Sequence, residues 1–295
     1  MITVLTPAYN RSDLIKRTYQ SLLRQKSKNF EWIVVDDGST DSTKQVIEKF
    51  KKEKKINIRY IYKENGGKHT ALNVGIPYAK GEFLVILDSD DYLVDEAMKK
   101  IEHYTKKYKN ETEIASFTFL KVFPNQEVIG KTYHGSEIIA NPIDFRYNEG
   151  HLGDMAEVFR TSILKQFPFP EYPHERFLSE AIVWNKIALQ YQSIYINEPI
   201  MVCEYMEGGL SDNTLLARIK SPIGSLENAK LFMNPRFKMS IRLKNAILYV
   251  GFSLAAKRSV SQIFHENSHF VLTFIGFPPG LLFFLYLQFI KRRKK

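Results

Sequence analysis

In VILDSDDYL, residues 85–93, an apolar run from Val85 to Leu87 opens directly onto Asp88, Asp90 and Asp91. Carboxylates this close repel one another, and each must stay solvated or meet a cation. A solvated turn followed by a helix cap would satisfy that demand. So would a divalent metal holding a phosphate. In a strand, residues two apart point to the same side, so Asp88 and Asp90 are expected to face one ligand. Hard carboxylate oxygens suit Mg²⁺ or Mn²⁺, which keep coordination positions open for substrate phosphates.

Upstream of this stretch, strand and helix alternate. ITVLT (2–6) predicts a buried strand, followed by a helix that Ser12 can cap and that runs to about Arg24. WIVVD (32–36) precedes a helix from Ser39 or Asp41 to about Phe50, and INIRYIY (56–62) precedes one from about Gly67 to Ala79, bent before Pro77. EFLVILD (82–88) is the fourth strand, with a helix over roughly Val94–Lys106 after it. Such alternation predicts an α/β fold with a mostly parallel sheet. Ligands of these sheets bind at the carboxyl ends of the strands. PAYNR, DDGSTD, KENGGKH and DSDD all fall there. Each alone is only a loop; four on one rim make a site.

Past residue 110 the pattern loosens. ASFTFLKVF (115–123) and MAEVFR (155–160) read as antiparallel or mixed strands, SEAIVWNKIALQY (179–191) as a helix, IMVCEY (200–205) as a strand and MEGGLSDN (206–213) as a loop. The region from about Asn125 to Gly153 reads as irregular, a loop or lid facing an acceptor.

The chain has 295 residues, 44% hydrophobic and 25% charged, enough for one large domain or two smaller ones. Its one cysteine, Cys203, excludes an intramolecular disulfide and a multi-cysteine zinc site, and fits a reducing compartment. No secretory leader is expected, since Ile2 to Thr6 already reads as a strand. The net charge of +10 is unevenly spread. Residues 1–213 carry 28 Lys/Arg against 30 Asp/Glu, whereas residues 214–295 carry 14 against two, Glu227 and Glu266. Two parts follow: an α/β catalytic domain over 1–213, and a basic, apolar helical region over 214–295.

The second part points to an anionic partner. No residue from Asn267 to Ile290 is charged with histidine neutral, and the tail ends in KRRKK (291–295). A nucleic-acid binder exposes basic and aromatic surface, not a long uncharged run, so the expected partner is an anionic membrane surface and no nucleic acid. Pro278-Pro279 between Gly276 and Gly280 should break the apolar run into two halves. A single crossing would separate a basic terminus from a cytosolic domain, against the positive-inside rule. An in-plane or re-entrant element is favoured, with a double crossing as the rival. Residues 236–258 intersperse Arg236, Lys238, Arg242, Lys244, Lys257 and Arg258 with apolar positions. They suit a helix lying on lipid or one packed on its own domain.

TPAYNR (6–11), VVDDGSTD (34–41), NGGKHTALN (65–73), GEFLVILDSDD (81–91) and SEAIVWNKIA (179–188), in that order, resemble the family 2 glycosyltransferases. The resemblance implies the GT-A fold, a Rossmann-like, mostly parallel sheet with helices on both faces. It makes Asp90 the direct metal ligand and Asp88, with Ser89, a contact to the nucleotide sugar or metal. Asp91 is then a support or a helix cap. Tyr9 would stack on the base, Asp37 would accept the imide N–H of uracil, and Pro7 and Ala8 would shape the close backbone approach. Lys68 would meet the diphosphate. Glu180 stands where the family places its catalytic aspartate, with Ser179 before it in place of an acid; Glu175 and Glu207 are reserves. The implied function is inverting, metal-dependent transfer from a nucleotide sugar, a UDP-sugar foremost, to a lipid-linked or growing glycan. The setting is bacterial polysaccharide assembly at the cytoplasmic face of the membrane. A sugar nucleotidyltransferase and a non-catalytic nucleotide-sugar-binding protein are the alternatives. TPAYNR is not the glycine-rich signature expected of the first of these.

Overall fold

Every residue of Ile2–Ala8 (β1) and Phe30–Asp37 (β2) is buried, as expected of strands covered on both faces. The structure is a computed structural model and describes residues 1–204 and 214–293. β1 pairs in parallel with β2, ending at Ala8 opposite Asp36. β2 pairs in parallel with Asn57–Lys63 (β3), ending at Asp37 opposite Lys63. On the other side of β1 lies Phe83–Ile86 (β4), also parallel. Polar loops therefore leave one rim together.

The remaining strands are Tyr92–Leu93 (β5), Ile114–Val122 (β6), Glu137–Ala140 (β7), Met155–Arg160 (β8) and Gln192–Val202 (β9). Among the described residues they complete a nine-stranded sheet in the order β3-β2-β1-β4-β8-β6-β9-β5, with β7 on β9. β8 runs antiparallel to both β4 and β6, so the sheet is mixed past β4. Helices Leu14–Arg24 (α1), Thr43–Glu53 (α2), Lys68–Gly75 (α3), Ala97–Lys107 (α4) and the single turn Thr161–Leu164 (α5) accompany it. α1 buries Ile15, Thr18, Tyr19 and Leu22 as one stripe, and the Tyr19 ring stacks on Phe50 of α2 at 3.9 Å.

Several expectations change. β4 stops at Ile86, two residues short of Asp88, and α4 begins at Ala97, so Asp91 caps no helix. The last strand begins at Gln192, well before Ile200. The region 125–153 holds β7 and a π-helical segment, Ile143–Asn148, where irregular chain was expected. Strand β7 exists because β9 offers it an edge, which no local pattern announces.

Asp91 supports the turn from beneath. It is 7% exposed, its carboxylate accepts from the Cys203 thiol at 2.9 Å, and the Lys121 ammonium lies 3.6 Å away. Lys121, next to the last residue of the apolar β6, also pairs with Asp154 at 2.9 Å. Burial pushes the Asp91 carboxyl up to about 6, against the pull of Lys121. Burial also works against the Lys121 charge, but the acids around it, Asp154 and Asp91 among them, raise its pKa well above the usual value.

The chain forms two compact units. The first comprises Met1–Pro142, His151–Phe169 and the described part of Ile187–Tyr205; the second comprises Ile143–Gly150, Pro170–Lys186 and the described part of Met206–Lys295. Ala181–Ala188 (α6) starts in the second unit, which continues through Thr214–Lys220 (α7), Pro222–Leu231 (α8), Met239–Ala255 (α9), Val260–His265 (α10) and Phe270–Arg293 (α11). Helix α11 runs unbroken through Pro278 and Pro279, contrary to the expected break. Both prolines sit on its exposed side, while the flanking glycines press the opposite side onto α9. A Cβ on Gly276 would stand 2.9 Å from the backbone of Ala246, and one on Gly280 would stand 2.6 Å from Val250. This close packing offsets the two hydrogen bonds that the prolines cannot make. Helix α9 buries Ala246, Tyr249, Val250 and Phe252, so its apolar side packs on its own unit.

Removing the cation under Asp91 should strand a buried carboxylate. Lys121→Met is expected to cost about 3 kcal/mol in urea unfolding at neutral pH. Adding Asp91→Asn should recover at least about 1 kcal/mol of it. Strictly additive losses would show that the pair is uncoupled.

Candidate active site

The four rim loops are stitched together by side chains. Asn10, at φ 52°, accepts from the Thr40 backbone N–H at 2.8 Å, and its own N–H donates to Ser39 Oγ at 2.9 Å. The backbone N–H of Arg11 donates to Thr43 Oγ1, and that of Ser12 to Asp41 Oδ2. The loop after β1 is thereby fastened to the loop after β2. Pro7 and Ala8 end β1 and are buried, while Tyr9 emerges at 45% exposure. Its ring is available to a flat ligand.

The two acids of DDGS divide their work. Asp36 accepts from the Ser39 N–H and the Tyr60 hydroxyl. Asp37 Oδ1 accepts from Lys63 Nζ at 2.7 Å and the Gly66 N–H at 2.9 Å; Oδ2 accepts from the Gly67 N–H at 2.7 Å. The second acid thus shapes the NGGKH loop. Gly38 has φ +82°, and a Cβ there would meet the Asn65 backbone N at 2.7 Å, so this close approach requires glycine.

From the first turn of α3, Lys68 Nζ reaches both oxygens of Asp88, at 2.6 and 2.7 Å. Burial disfavours an ionised Asp88, yet the Lys68 ammonium, with Lys121 and Arg11 behind it, holds the carboxyl below its usual pKa. Asp90 lies 4.0 Å from the Arg11 guanidinium. Asp88 and Asp90 occupy a turn in which the Asp91 N–H donates to Asp88 O at 3.0 Å. Turn geometry, and not the strand pleat, sets where the two acids stand. Their side chains are 32% and 33% exposed.

Two part-exposed carboxylates at a strand end are a donor set that fits Mg²⁺ or Mn²⁺, which take one or two carboxylates and complete their shell with water and phosphate. Among the described residues no group of three or more His, Cys, Asp or Glu is arranged to hold a metal. A cation here would therefore depend on Asp88, Asp90 and its substrate.

Sequence reasoning missed what holds the turn from α1. Arg17 donates to the carbonyl of Asp90 at 2.6 Å, lies 4.7 Å over the Tyr92 ring and pairs with Glu204. The Thr18 hydroxyl sits 3.2 Å from Ser89 O and 3.0 Å from Asp91 O. Ser89 itself is 5% exposed. These partners lie some seventy residues upstream, where no local pattern marks them. Lys121 did leave a trace, as one cation inside an apolar strand.

Glu180 belongs to the second unit. It opens α6, its carbonyl accepting from the Val183 and Trp184 N–H groups, and it is half-buried. Glu175 is committed elsewhere: its carboxylate accepts from the Ile223 and Gly224 N–H groups at 2.6 and 2.7 Å, capping α8. Glu207 and the loop 206–213 lie outside the described residues.

Comparison with known proteins adds to this geometry. The chain is 36% identical over 104 residues to a putative teichuronic acid biosynthesis glycosyltransferase, TuaG, from Bacillus subtilis, covering 35% of this chain and 41% of that protein. It spans between 13% and 31% of the length of three other curated relatives. Among solved structures, Staphylococcus aureus TarS in complex with UDP-GlcNAc superposes with a TM-score of 0.62 at 17% identity, over 100% of this chain and 92% of that one. A mannosyltransferase from Pyrobaculum calidifontis in complex with GDP-Man and Mn²⁺ gives 0.58 at 18% identity, over 97% and 87%. These likenesses establish the GT-A fold. The sequence pattern of Glycosyl transferase family 2 matches residues 3–169, more than half of the chain, and the chain belongs to that family.

Proposed function

We propose that this protein is an inverting, metal-dependent glycosyltransferase that moves a sugar from a nucleotide sugar, a UDP-sugar foremost, to a lipid-linked or growing glycan. The observation that carries this reading is the turn of Asp88 and Asp90, each beside a basic side chain, in the same unit as an exposed Tyr9. The UDP-GlcNAc bound by TarS and the GDP-Man and Mn²⁺ bound by the Pyrobaculum enzyme support the donor class and the metal. The description of TuaG supports polysaccharide synthesis as the setting.

In this reading Tyr9 stacks on the base, and Pro7 and Ala8 bring the backbone close to it. A carboxylate offers about four lone pairs, and Asp37 uses three of them on Lys63, Gly66 and Gly67. The fourth accepts the imide N–H of uracil. Lys68 and Arg11 supply positive charge to the diphosphate, and Asp88 and Ser89 contact the ribose side. Mg²⁺ or Mn²⁺ held by Asp90 and Asp88 would offset the charge that develops on the departing nucleoside diphosphate. Glu180 takes the proton of the acceptor hydroxyl as its oxygen attacks the anomeric carbon, and direct displacement inverts that centre. The basic, apolar C-terminal region keeps the enzyme at the anionic cytoplasmic face of the membrane, beside a lipid-carried acceptor.

Donor hydrolysis followed with UDP-GlcNAc should vanish in excess chelator and return with Mn²⁺. Asp90→Asn should lower turnover by about 10²-fold or more with little change in thermal stability. Full activity without divalent metal would remove the metal role. Glu180→Gln should reduce transfer by about 10²- to 10⁴-fold while donor affinity stays within a few-fold. Unchanged transfer in that variant would rule out Glu180 as the base.

A further inference from the structure

Helix α11 is 24 residues long and, by length and composition, apolar enough to cross a bilayer. Its packing points elsewhere. Gly276 meets Ala246, Gly280 meets Val250, and Phe283 meets Gly251, so the contacts advance in the same direction along both helices. α9 and α11 therefore run parallel. The chain joining them contains Lys257, Arg258 and Glu266, and it is folded against the pair. The Tyr249 hydroxyl donates to Ile263 O at 3.0 Å, and the Phe264 ring lies 5.7 Å from Phe277.

A crossing by α11 would carry α9 into the bilayer in the same sense. The connection would then have to return Lys257, Arg258 and Glu266 through hydrocarbon, which excludes unpaired polar chain and penalises each charge. Exposed Lys244, on the stretch of α9 packed beside α11, would enter with it. Re-entrant and double-crossing arrangements both need a break that α11 lacks.

The face away from α9 is apolar along the whole helix. Phe270, Val271, Phe274, Leu282, Leu285 and Phe289 are each more than half exposed and follow one another at spacings that keep them on one side. Arg293, 4.8 Å over the Phe289 ring, ends the stripe beside exposed Lys291 and Arg292. An apolar stripe terminated by cations suits the boundary between headgroups and acyl chains.

We infer that α11 lies flat in the interface of an anionic bilayer, with α9 on its protein side and this stripe in the lipid, and does not cross. The inference rests on the membrane part of the proposed function and specifies its geometry. The test uses the full chain and sedimentation with vesicles of phosphatidylcholine, with and without phosphatidylglycerol. Binding is expected only with phosphatidylglycerol, weakened by salt and fully released by alkaline carbonate. Phe274→Glu and Leu285→Glu should each reduce binding about ten-fold or more at unchanged helix content, and Arg292→Glu with Arg293→Glu should flatten the salt dependence. Resistance to carbonate would mean that the helix crosses. Absence of binding, with self-association abolished by Phe274→Glu, would mean that the stripe serves a second copy. Either result overturns the inference. Donor hydrolysis measured on the same preparations reports the transferase reading separately, since these substitutions leave the first unit intact.

Discussion

Repulsion among three neighbouring carboxylates is the constraint around which the first unit is organised. Asp88, Asp90 and Asp91 follow one another at the end of a buried strand, and each has been given a basic neighbour from a different place. Lys68 comes from the start of α3, Arg11 from the loop after β1, and Lys121 from the carboxyl end of β6. The three acids differ in consequence. Asp91 is deep and braced by a thiol as well as an ammonium, whereas Asp88 and Asp90 keep about a third of their side chains in contact with solvent. Burial decides which acid supports the turn and which two can meet a ligand.

The backbone of that turn is held independently of its charges. Arg17 and Thr18 bind three successive carbonyls, from Ser89 to Asp91, so the turn keeps its shape whatever its carboxylates meet. The NGGKH loop is held in the same manner by Asp37, acting through two backbone N–H groups. A site built on loops gains its definition from such contacts to a rigid sheet. The second unit follows a different logic, in which glycines allow two helix backbones to touch. GFPPG reads locally as a helix breaker, but it works here as a seam: the prolines face out and the glycines face in.

What the sequence determined by itself was local. Strand–helix alternation, the acid cluster after the fourth strand, the polar loops on one rim and the apolar, basic tail all follow from periodicity, turn chemistry and composition within short windows. That was sufficient for the fold class and for the membership of Asp37, Lys68, Asp88 and Asp90 in one rim. It misjudged how Asp88 and Asp90 are presented, because the strand ends two residues early and a turn replaces the pleat. It also proposed Glu175 as a spare base, when that carboxylate caps a helix that begins 47 residues later. The tertiary structure alone decided which cation meets which acid, that Lys121 and Cys203 lie beneath the turn, that β7 finds an edge on β9, and that α11 continues through two prolines. Each of these depends on partners brought together from distant parts of the chain, and the free energy of burying a charge or seating a glycine is set by those partners.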